Sequence, residues 1–220
     1  MDWGDEVRPQ PHSGRGGMDR MLKDARRGDR AAVEAHLRAD PTLLLAKSGG
    51  HNRTFLWEAV RGGREELVDL LLERGADPNV PGRIRSEIVV LTTPYVLAVR
   101  RRRTALADRL LAAGTRIDLY SACFLGLEDA VEAHLDRDPT RVREEQADDS
   151  VWRVTPLHHA VAGGHEPLTR RLIERGAPVR PYARLLCDAA DRMDADHLLP
   201  LLVDAGVDRE VAREWGGFEG

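Results

Sequence analysis

One stretch constrains the fold more than any other, the run TPLHHAVAGGHEPLTRRLIERGAPV from Thr155 to Val179. Pro156 suits the first turn of a helix, and the pair Gly163-Gly164 suits its end. A second amphipathic helix follows at once and stops at Gly176. Two short helices joined in this way cannot bury both of their apolar faces within the pair. The stretch therefore predicts a stack in which each helix pair packs against neighbours of the same kind.

The chain also contains an internal duplication. The run AVEAHLRADPTLL begins at Ala32, and the nearly identical run AVEAHLDRDPTRV begins at Ala130. Two such similar runs, so far apart, indicate that the same helical unit occurs more than once.

A second complete unit, TFLWEAVRGGREELVDLLLERGADPNV, extends from Thr54 to Val80. The order of Thr-Pro-Leu-His, Ala, Gly-His, an aliphatic run and Gly-Ala in the stretch from Thr155 resembles the ankyrin repeat, and in the second unit Trp57 replaces the first histidine. The resemblance implies an all-α ankyrin-repeat solenoid of about six helix-turn-helix units with irregular terminal caps. Within a domain at 18–210, we expect units near residues 18–48, 49–81, 90–117, 118–146, 151–180 and 182–208. Residues 1–17 are expected to form a disordered leader, and residues 211–220 a C-terminal tail or cap anchored by Trp215.

The spacing between the second and third units is longer than the family period. Thr54 and Thr93 are 39 residues apart, whereas an ankyrin unit has about 33 residues. We expect the surplus, Pro81–Leu91, to project as a long loop or a small hairpin. A second charged loop is expected at Arg143–Ser150.

Composition excludes several classes of function. The net charge of -4 gives no general electrostatic attraction to nucleic acid or to an anionic membrane. Two cysteines, Cys123 and Cys187, argue against a disulfide framework, and no apolar run reaches the length of a membrane span. We find no metal-ligand spacing and no glycine-rich phosphate loop, and therefore expect no metal and no cofactor. These features predict a cytoplasmic protein, which we expect to be a monomer.

The resemblance implies that partners bind along the concave face, on the exposed side of each first helix. The residues predicted to bind a partner there are Lys23, Arg26, Arg27, Glu58, Arg61, Leu97, Arg100, Arg101, Phe124 and His159. Five arginines and one lysine in this set favour an acidic or anionic partner, because guanidinium groups bind carboxylates and phosphates bidentately. Leu97, Phe124 and Leu125 are expected to form an apolar patch beside them. In the alternative interpretation, the run Arg100–Arg103 is merely a solvated charged face.

The histidines raise a second possibility. His158 and His165 occupy the two histidine positions of the family, where they hold loops together by hydrogen bonds. His159 lies outside the family pattern, and Ser121 occupies the corresponding position one unit earlier. The main hypothesis is a non-enzymatic protein-protein interaction module. The alternative is a small-molecule-binding protein or an enzyme in which His159, Ser121, Glu58 and the groove arginines line a pocket that the two long loops close.

Overall fold

The computed structural model describes residues 15–49, 52–83, 91–146 and 154–216. Over these residues the fold consists of thirteen α-helices, four short 3₁₀ helices and one two-stranded sheet. The first six helices are α1 (Arg15–Arg27), α2 (Arg30–Ala39), α3 (Phe55–Gly62), α4 (Glu65–Glu73), α5 (Pro94–Arg100) and α6 (Thr104–Ala112). The others are α7 (Leu119–Leu125), α8 (Glu128–Arg137), α9 (Pro156–Gly163), α10 (Glu166–Glu174), α11 (Ala183–Arg192), α12 (Leu199–Asp204) and α13 (Arg209–Gly216). The predicted all-α class is confirmed.

The helices form a single-file stack. The odd-numbered helices from α1 to α11 contact one another in sequence order, and each also contacts the even-numbered helix that follows it. We refer to α1, α3, α5, α7, α9 and α11 as the first helices. Threonine side chains begin several of them: Thr54 accepts the amide of Trp57 at 3.1 Å, and Thr93 accepts the amide of Val96 at 3.3 Å. These hydrogen bonds satisfy amides that a helix start otherwise leaves unpaired.

The first helices approach one another very closely where glycine is present. A Cβ atom added to Gly62 would lie 2.1 Å from the carbonyl oxygen of Arg26, and one added to Gly163 would lie 2.5 Å from that of Phe124. Only glycine permits α3 to pack this tightly on α1, and α9 on α7.

The duplicated runs fold in the same way. α2 and α8 are each followed by a 3₁₀ helix, Pro41–Leu44 and Pro139–Arg143. The aspartates that precede these turns, Asp40 and Asp138, both accept hydrogen bonds from the amide and the hydroxyl of a threonine two residues later. The remaining 3₁₀ helices are Arg180–Tyr182 and Asp196–Leu198.

Polar side chains tie each unit to the one before it. His165 Nε2 lies 3.1 Å from the carbonyl oxygen of Phe124, at the end of α7, which confirms the structural role predicted for this histidine. Arg64 occupies the same position three units earlier and donates to the carbonyl of Arg26 at 3.1 Å. Arg103 likewise donates to carbonyls at the end of α3. A guanidinium therefore replaces the family histidine in this role.

The apolar core divides near the middle of the stack. One cluster of buried side chains runs from Met21 to Leu110, through α1 to α6. A second cluster runs from α7 to α13 and includes only Val96 from the preceding helices. The two halves of the solenoid therefore have largely separate cores.

The start of the domain and the anchor of its C-terminal cap differ from the prediction. α1 begins at Arg15, so the leader cannot extend to residue 17, and residues 1–14 lie outside the described residues. Met18 and Met21 pack into the core, and this packing outweighs the low helix propensity of the preceding glycines. At the other end α13 packs on α11 and α12, but its buried residue is Ala212 at 0% exposure, whereas Trp215 is 39% exposed. Trp215 is therefore not the anchor of this cap.

The Pro81–Leu91 insertion has a hairpin at its base. Strands β1 (Gly82–Arg83) and β2 (Leu91–Thr92) pair antiparallel, with Gly82 opposite Thr92. This pairing agrees with the small hairpin, one of the two forms expected for the insertion, and residues 84–90 lie outside the described residues. The second predicted loop ends in an isolated bridge between Gln146 and Val154, and its residues 147–150 are not described. None of the described helices has the length and apolar character needed to cross a bilayer.

Candidate functional site

A continuous group of basic side chains lies along the first helices of the N-terminal half. We call this surface the basic groove and define it by Lys23, Arg26, Arg53, Arg61, Arg100 and Arg101. The charges of Arg26 and Arg61 act on Arg53, and those of Arg61 and Arg100 act on Arg101. The groove therefore carries one connected positive field from α1 to the end of α5.

Glu58 is the acid that holds part of this group together. Its Oε1 atom accepts hydrogen bonds from Arg53 Nη1 at 3.2 Å and from Arg61 Nη1 at 3.3 Å. The Glu58 side chain is only 6% exposed, and its Oε2 atom is buried without a hydrogen-bond partner. One carboxylate thus neutralises part of the charge of two guanidinium groups and retains an unused acceptor.

The indole ring of Trp57 lies beneath the guanidinium groups of the same two arginines. The guanidinium carbons of Arg53 and Arg61 lie 5.0 Å and 5.8 Å from the centre of its ring. Its Nε1 atom donates to the carbonyl of Thr92 at 2.9 Å. A Cβ atom on Gly82 would come within 3.0 Å of that nitrogen. The hairpin base is therefore seated directly on the indole ring.

The substitution of tryptophan for histidine explains this contact. At the start of α9, His158 Nδ1 accepts a hydrogen bond from the backbone N–H of Thr155 at 3.0 Å. The histidine therefore caps the N-terminus of its own helix. Indole has no acceptor nitrogen and can only donate. Trp57 occupies the position in α3 that His158 occupies in α9. Its indole N–H therefore donates to the main chain of β2 and does not cap its own helix.

Four of the six groove cations differ in their partners from several arginines on the second helices. Within the described part of the chain, Lys23, Arg26, Arg100 and Arg101 form no ion pair with a carboxylate. Several arginines on the second helices do form such pairs, as between Arg109 and Glu65 at 3.0 Å, Arg171 and Glu128 at 3.3 Å, and Arg175 and Asp136 at 3.2 Å.

Partial burial adds to the cost of charge in the basic groove. Burial lowers the pKa of Arg53, Arg100 and Arg101, and nearby Arg103 and Arg61 lower the pKa of Arg101 further. Each shift means that the folded protein disfavours the charged form. An external carboxylate or phosphate at the groove would offset this penalty.

A cavity of about 210 Å³ opens at the N-terminal end of the groove. Its walls are formed by Asp19, Leu22, Lys23, Arg26, Ser48, Arg53 and Glu58. Arg27, which was predicted to belong to the same surface, instead lines a separate depression with Arg30 and Arg64. The reason is its position as the last residue of α1, next to the turn at Gly28.

Three residues predicted to lie exposed in the groove are buried. Glu58, Leu97 and Phe124 are 4%, 2% and 2% exposed, and only Leu125 of the expected apolar patch is partly exposed. The Arg100 guanidinium lies 5.0 Å from the centre of the Phe124 ring and shields it. The expectation of an apolar patch that is exposed to a partner is therefore wrong.

His159 was also predicted to face the groove and is fully buried instead. Its Nδ1 atom lies 3.2 Å from the carbonyl oxygen of Thr155, and its Nε2 atom lies 3.1 Å from that of Leu91. Burial lowers the pKa of His159, and the two carbonyls partly oppose this effect. The β2 strand covers this histidine, which was not foreseen.

The three residues of the alternative hypothesis do not form one site. Ser121 is buried and makes no hydrogen bond to His159, whose two nitrogens face main-chain carbonyls. Glu58 is bound to Arg53 and Arg61. A nucleophile needs a base within hydrogen-bond reach, and this geometry does not supply one. The alternative hypothesis of a pocket lined by these three residues is therefore wrong.

Arg53 is the main groove residue that sequence reasoning missed. It stands immediately before the Thr54 cap, outside the helical positions that the repeat pattern assigns to the groove. Its Nε atom donates to the carbonyl of Arg83 at 2.9 Å, which fixes the side chain between α3 and the hairpin. A basic residue just before a helix cap was the available signal.

The remaining candidate chemistry is limited. Cys123 and Cys187 are free and buried, and burial raises the pKa of both thiols, that of Cys187 to about 11. Among the residues that the structure describes, no three or more histidine, cysteine or acidic side chains cluster in a way that could hold a metal ion.

Comparison with known proteins agrees with the architecture. The family model of the ankyrin repeat matches residues 51–83 and 153–184. A curated rice protein (Oryza sativa subsp. japonica), described as probable E3 ubiquitin-protein ligase XBOS31, is 29% identical over 125 residues. The match covers 52% of this chain and 27% of that protein. The chain thus spans about a quarter of the relative's length. A match over so small a part does not assign the relative's activity to this chain.

Proposed function

The chain is an ankyrin-repeat protein, and we propose that it is a non-enzymatic interaction module that binds an acidic segment of a partner protein in the basic groove. Ankyrin repeats act as protein-protein interaction modules, and fold alone does not choose the partner. The choice must come from the groove side chains.

The observation that carries this proposal is the difference between the two faces of the stack. Several arginines on the second helices are neutralised within the chain, as in the pair of Arg109 and Glu65. Lys23, Arg26, Arg100 and Arg101 have no carboxylate partner among the described residues. The whole chain has a net charge of -4, so this positive surface is not a consequence of a general excess of basic residues.

An acidic partner fits this surface for two physical reasons. Carboxylates form short, charge-assisted hydrogen bonds with guanidinium groups, often two at once. A connected positive field also raises the rate at which an acidic segment associates, and salt weakens that attraction.

The test is affinity capture from native cell lysate with the full chain immobilised. The variant combines Arg26→Gln, Arg100→Gln and Arg101→Gln, and leaves Arg61 in place because it pairs with Glu58. We expect it to lose proteins that the wild type retains at low salt, since each substitution removes one cation that has no carboxylate partner in the described chain.

A matched control combines Arg137→Gln, Arg209→Gln and Arg213→Gln. These arginines are exposed, make no ion pair in the described part of the chain, and change the net charge by the same amount. The proposal is wrong if the groove variant and the control capture the same proteins as the wild type.

We also propose that the module is a monomer in a reducing compartment such as the cytoplasm. The free and buried state of Cys123 and Cys187 supports the compartment, because oxidising compartments favour disulfides. Light scattering on the purified chain tests the monomer, and a dimer mass at micromolar concentration contradicts it.

A further inference from the structure

The cavity at the N-terminal end of the basic groove has walls from three parts of the chain. α1 supplies Asp19, Leu22, Lys23 and Arg26, the segment before α3 supplies Ser48 and Arg53, and α3 supplies Glu58. Leu22 is the single apolar side chain in this lining. A volume of about 210 Å³ holds a polar side chain together with bound water.

Two cations of the wall are available to a ligand. Lys23 and Arg26 are exposed and form no ion pair with a carboxylate of the described chain. Arg53, in contrast, is fixed by Glu58 and by the carbonyl of Arg83. The α1 side of the cavity therefore presents the donors that an incoming anion would meet.

The opposite wall presents an acceptor. Glu58 Oε2 is buried and has no hydrogen-bond partner, although Oε1 of the same carboxylate accepts from both Arg53 and Arg61. A buried acceptor without a partner is rare in folded proteins and costs stability. A ligand N–H group that reached it would remove that cost.

The combination of charges selects one kind of ligand. Asp19 and Glu58 place two carboxylates among the cations Lys23, Arg26 and Arg53. A bare dianion would be repelled by both acids. A peptide segment with an acidic side chain satisfies both walls, because its carboxylate accepts hydrogen bonds and its main-chain amides donate them.

We infer that this cavity is the subsite that anchors an acidic residue, aspartate or glutamate, of the partner. The side-chain carboxylate of this partner residue binds between Lys23 and Arg26. A main-chain N–H of the partner next to that residue donates to Glu58 Oε2. This inference rests on the proposed function, since it identifies which part of the basic groove receives the first acidic residue.

The experiment measures binding of a fluorescein-labelled peptide of about ten residues, with three consecutive glutamates in a glycine-serine background, by fluorescence anisotropy. The double variant Lys23→Gln and Arg26→Gln is compared with the control Arg20→Gln and Arg27→Gln, which changes the same helix and the same charge outside the cavity. We expect about tenfold weaker binding for the cavity variant and less than about twofold for the control, given typical charge-assisted hydrogen bonds.

Two further peptides test the details. N-methylation of the amides of the glutamate run should weaken binding about fivefold, because the donor to Glu58 is lost. Replacing the glutamates by phosphoserine should not strengthen binding. A phosphoserine peptide that binds while the glutamate peptide fails to bind would overturn the assignment to a carboxylate.

The failures of the two proposals can be told apart. If Arg100→Gln with Arg101→Gln weakens binding and the cavity variant behaves like its control, the groove binds acidic segments and the cavity inference is overturned. If neither variant differs from the wild type, or if the glutamate peptide does not bind, both proposals are overturned.

Discussion

Replacing Glu58 by glutamine should destabilise the fold although the side-chain shape is conserved. The Glu58 carboxylate is 6% exposed, and its partners Arg53 and Arg61 are 13% and 23% exposed. Removing one partner of a buried ion pair costs about 3–5 kcal/mol, whereas exposed pairs contribute about 0–1 kcal/mol. With two partly buried partners we expect a loss of about 3 kcal/mol, near the lower end of the buried range. For a chain of this size, that corresponds to a melting temperature roughly 6–12 °C lower.

Urea unfolding followed by circular dichroism at pH 7 measures this loss. Glu66→Gln is the matched control, because Glu66 is exposed on α4 and makes no ion pair within the described chain. We expect it to change the free energy of unfolding by less than about 0.5 kcal/mol. If Glu58→Gln changes the free energy of unfolding as little as Glu66→Gln does, Glu58 does not hold the two arginines in place.

Two other perturbations test the packing and the buried histidines. Gly62→Ala places a methyl group 2.1 Å from a main-chain oxygen of α1 and should cost more than about 2 kcal/mol. Gly75→Ala, which meets no atom within 4 Å and strains only a φ of +87°, should cost about 1 kcal/mol, and equal losses would contradict the close helix approach. Burial, together with neighbouring His159, lowers the pKa of His158 to about 3, whereas the unfolded side chain titrates near 6.5. The unfolded state therefore binds more protons below pH 6.5, and His158 alone should reduce the free energy of unfolding by about 2 kcal/mol between pH 7 and pH 5. His158→Gln should remove that part of the pH dependence in urea titrations, and an unchanged pH dependence would refute it.

The repeat pattern predicted the helices well because its signals are local. Thr54 and Gly63 begin and end α3 through a side-chain cap and a left-handed glycine, and both effects depend only on neighbouring residues. The duplicated run likewise predicted that α2 and α8 are equivalent, down to the aspartate that caps the turn after each helix.

The groove was predicted less well because its exposure depends on distant residues. The helical position of His159 places it on the concave side, yet the carbonyl of Leu91, 68 residues away, covers it. The pattern of the repeat contains no information on where an insertion folds. Phe124 was misjudged for a similar reason, since the Arg100 side chain lies over it.

One structural substitution was readable from the sequence and was missed. Arg64 and Arg103 stand in register with His165, after the turn that ends each first helix. Both guanidinium groups can donate to the carbonyls that a helix end leaves unpaired. Aligning the three units by the left-handed residues that end their first helices, Gly63, Arg102 and Gly164, would have assigned these arginines to the scaffold and separated them from the groove cations.

The most direct test of the account is the salt dependence of binding of the glutamate peptide. For the wild type, we expect the affinity to fall about tenfold between roughly 50 and 200 mM NaCl, because unpaired surface cations are screened over this range. The variant with Arg26→Gln, Arg100→Gln and Arg101→Gln should bind weakly at every salt concentration and show a much smaller slope. An affinity that is independent of salt, or a slope shared by wild type and variant, would contradict the claim that unpaired groove cations recognise the partner.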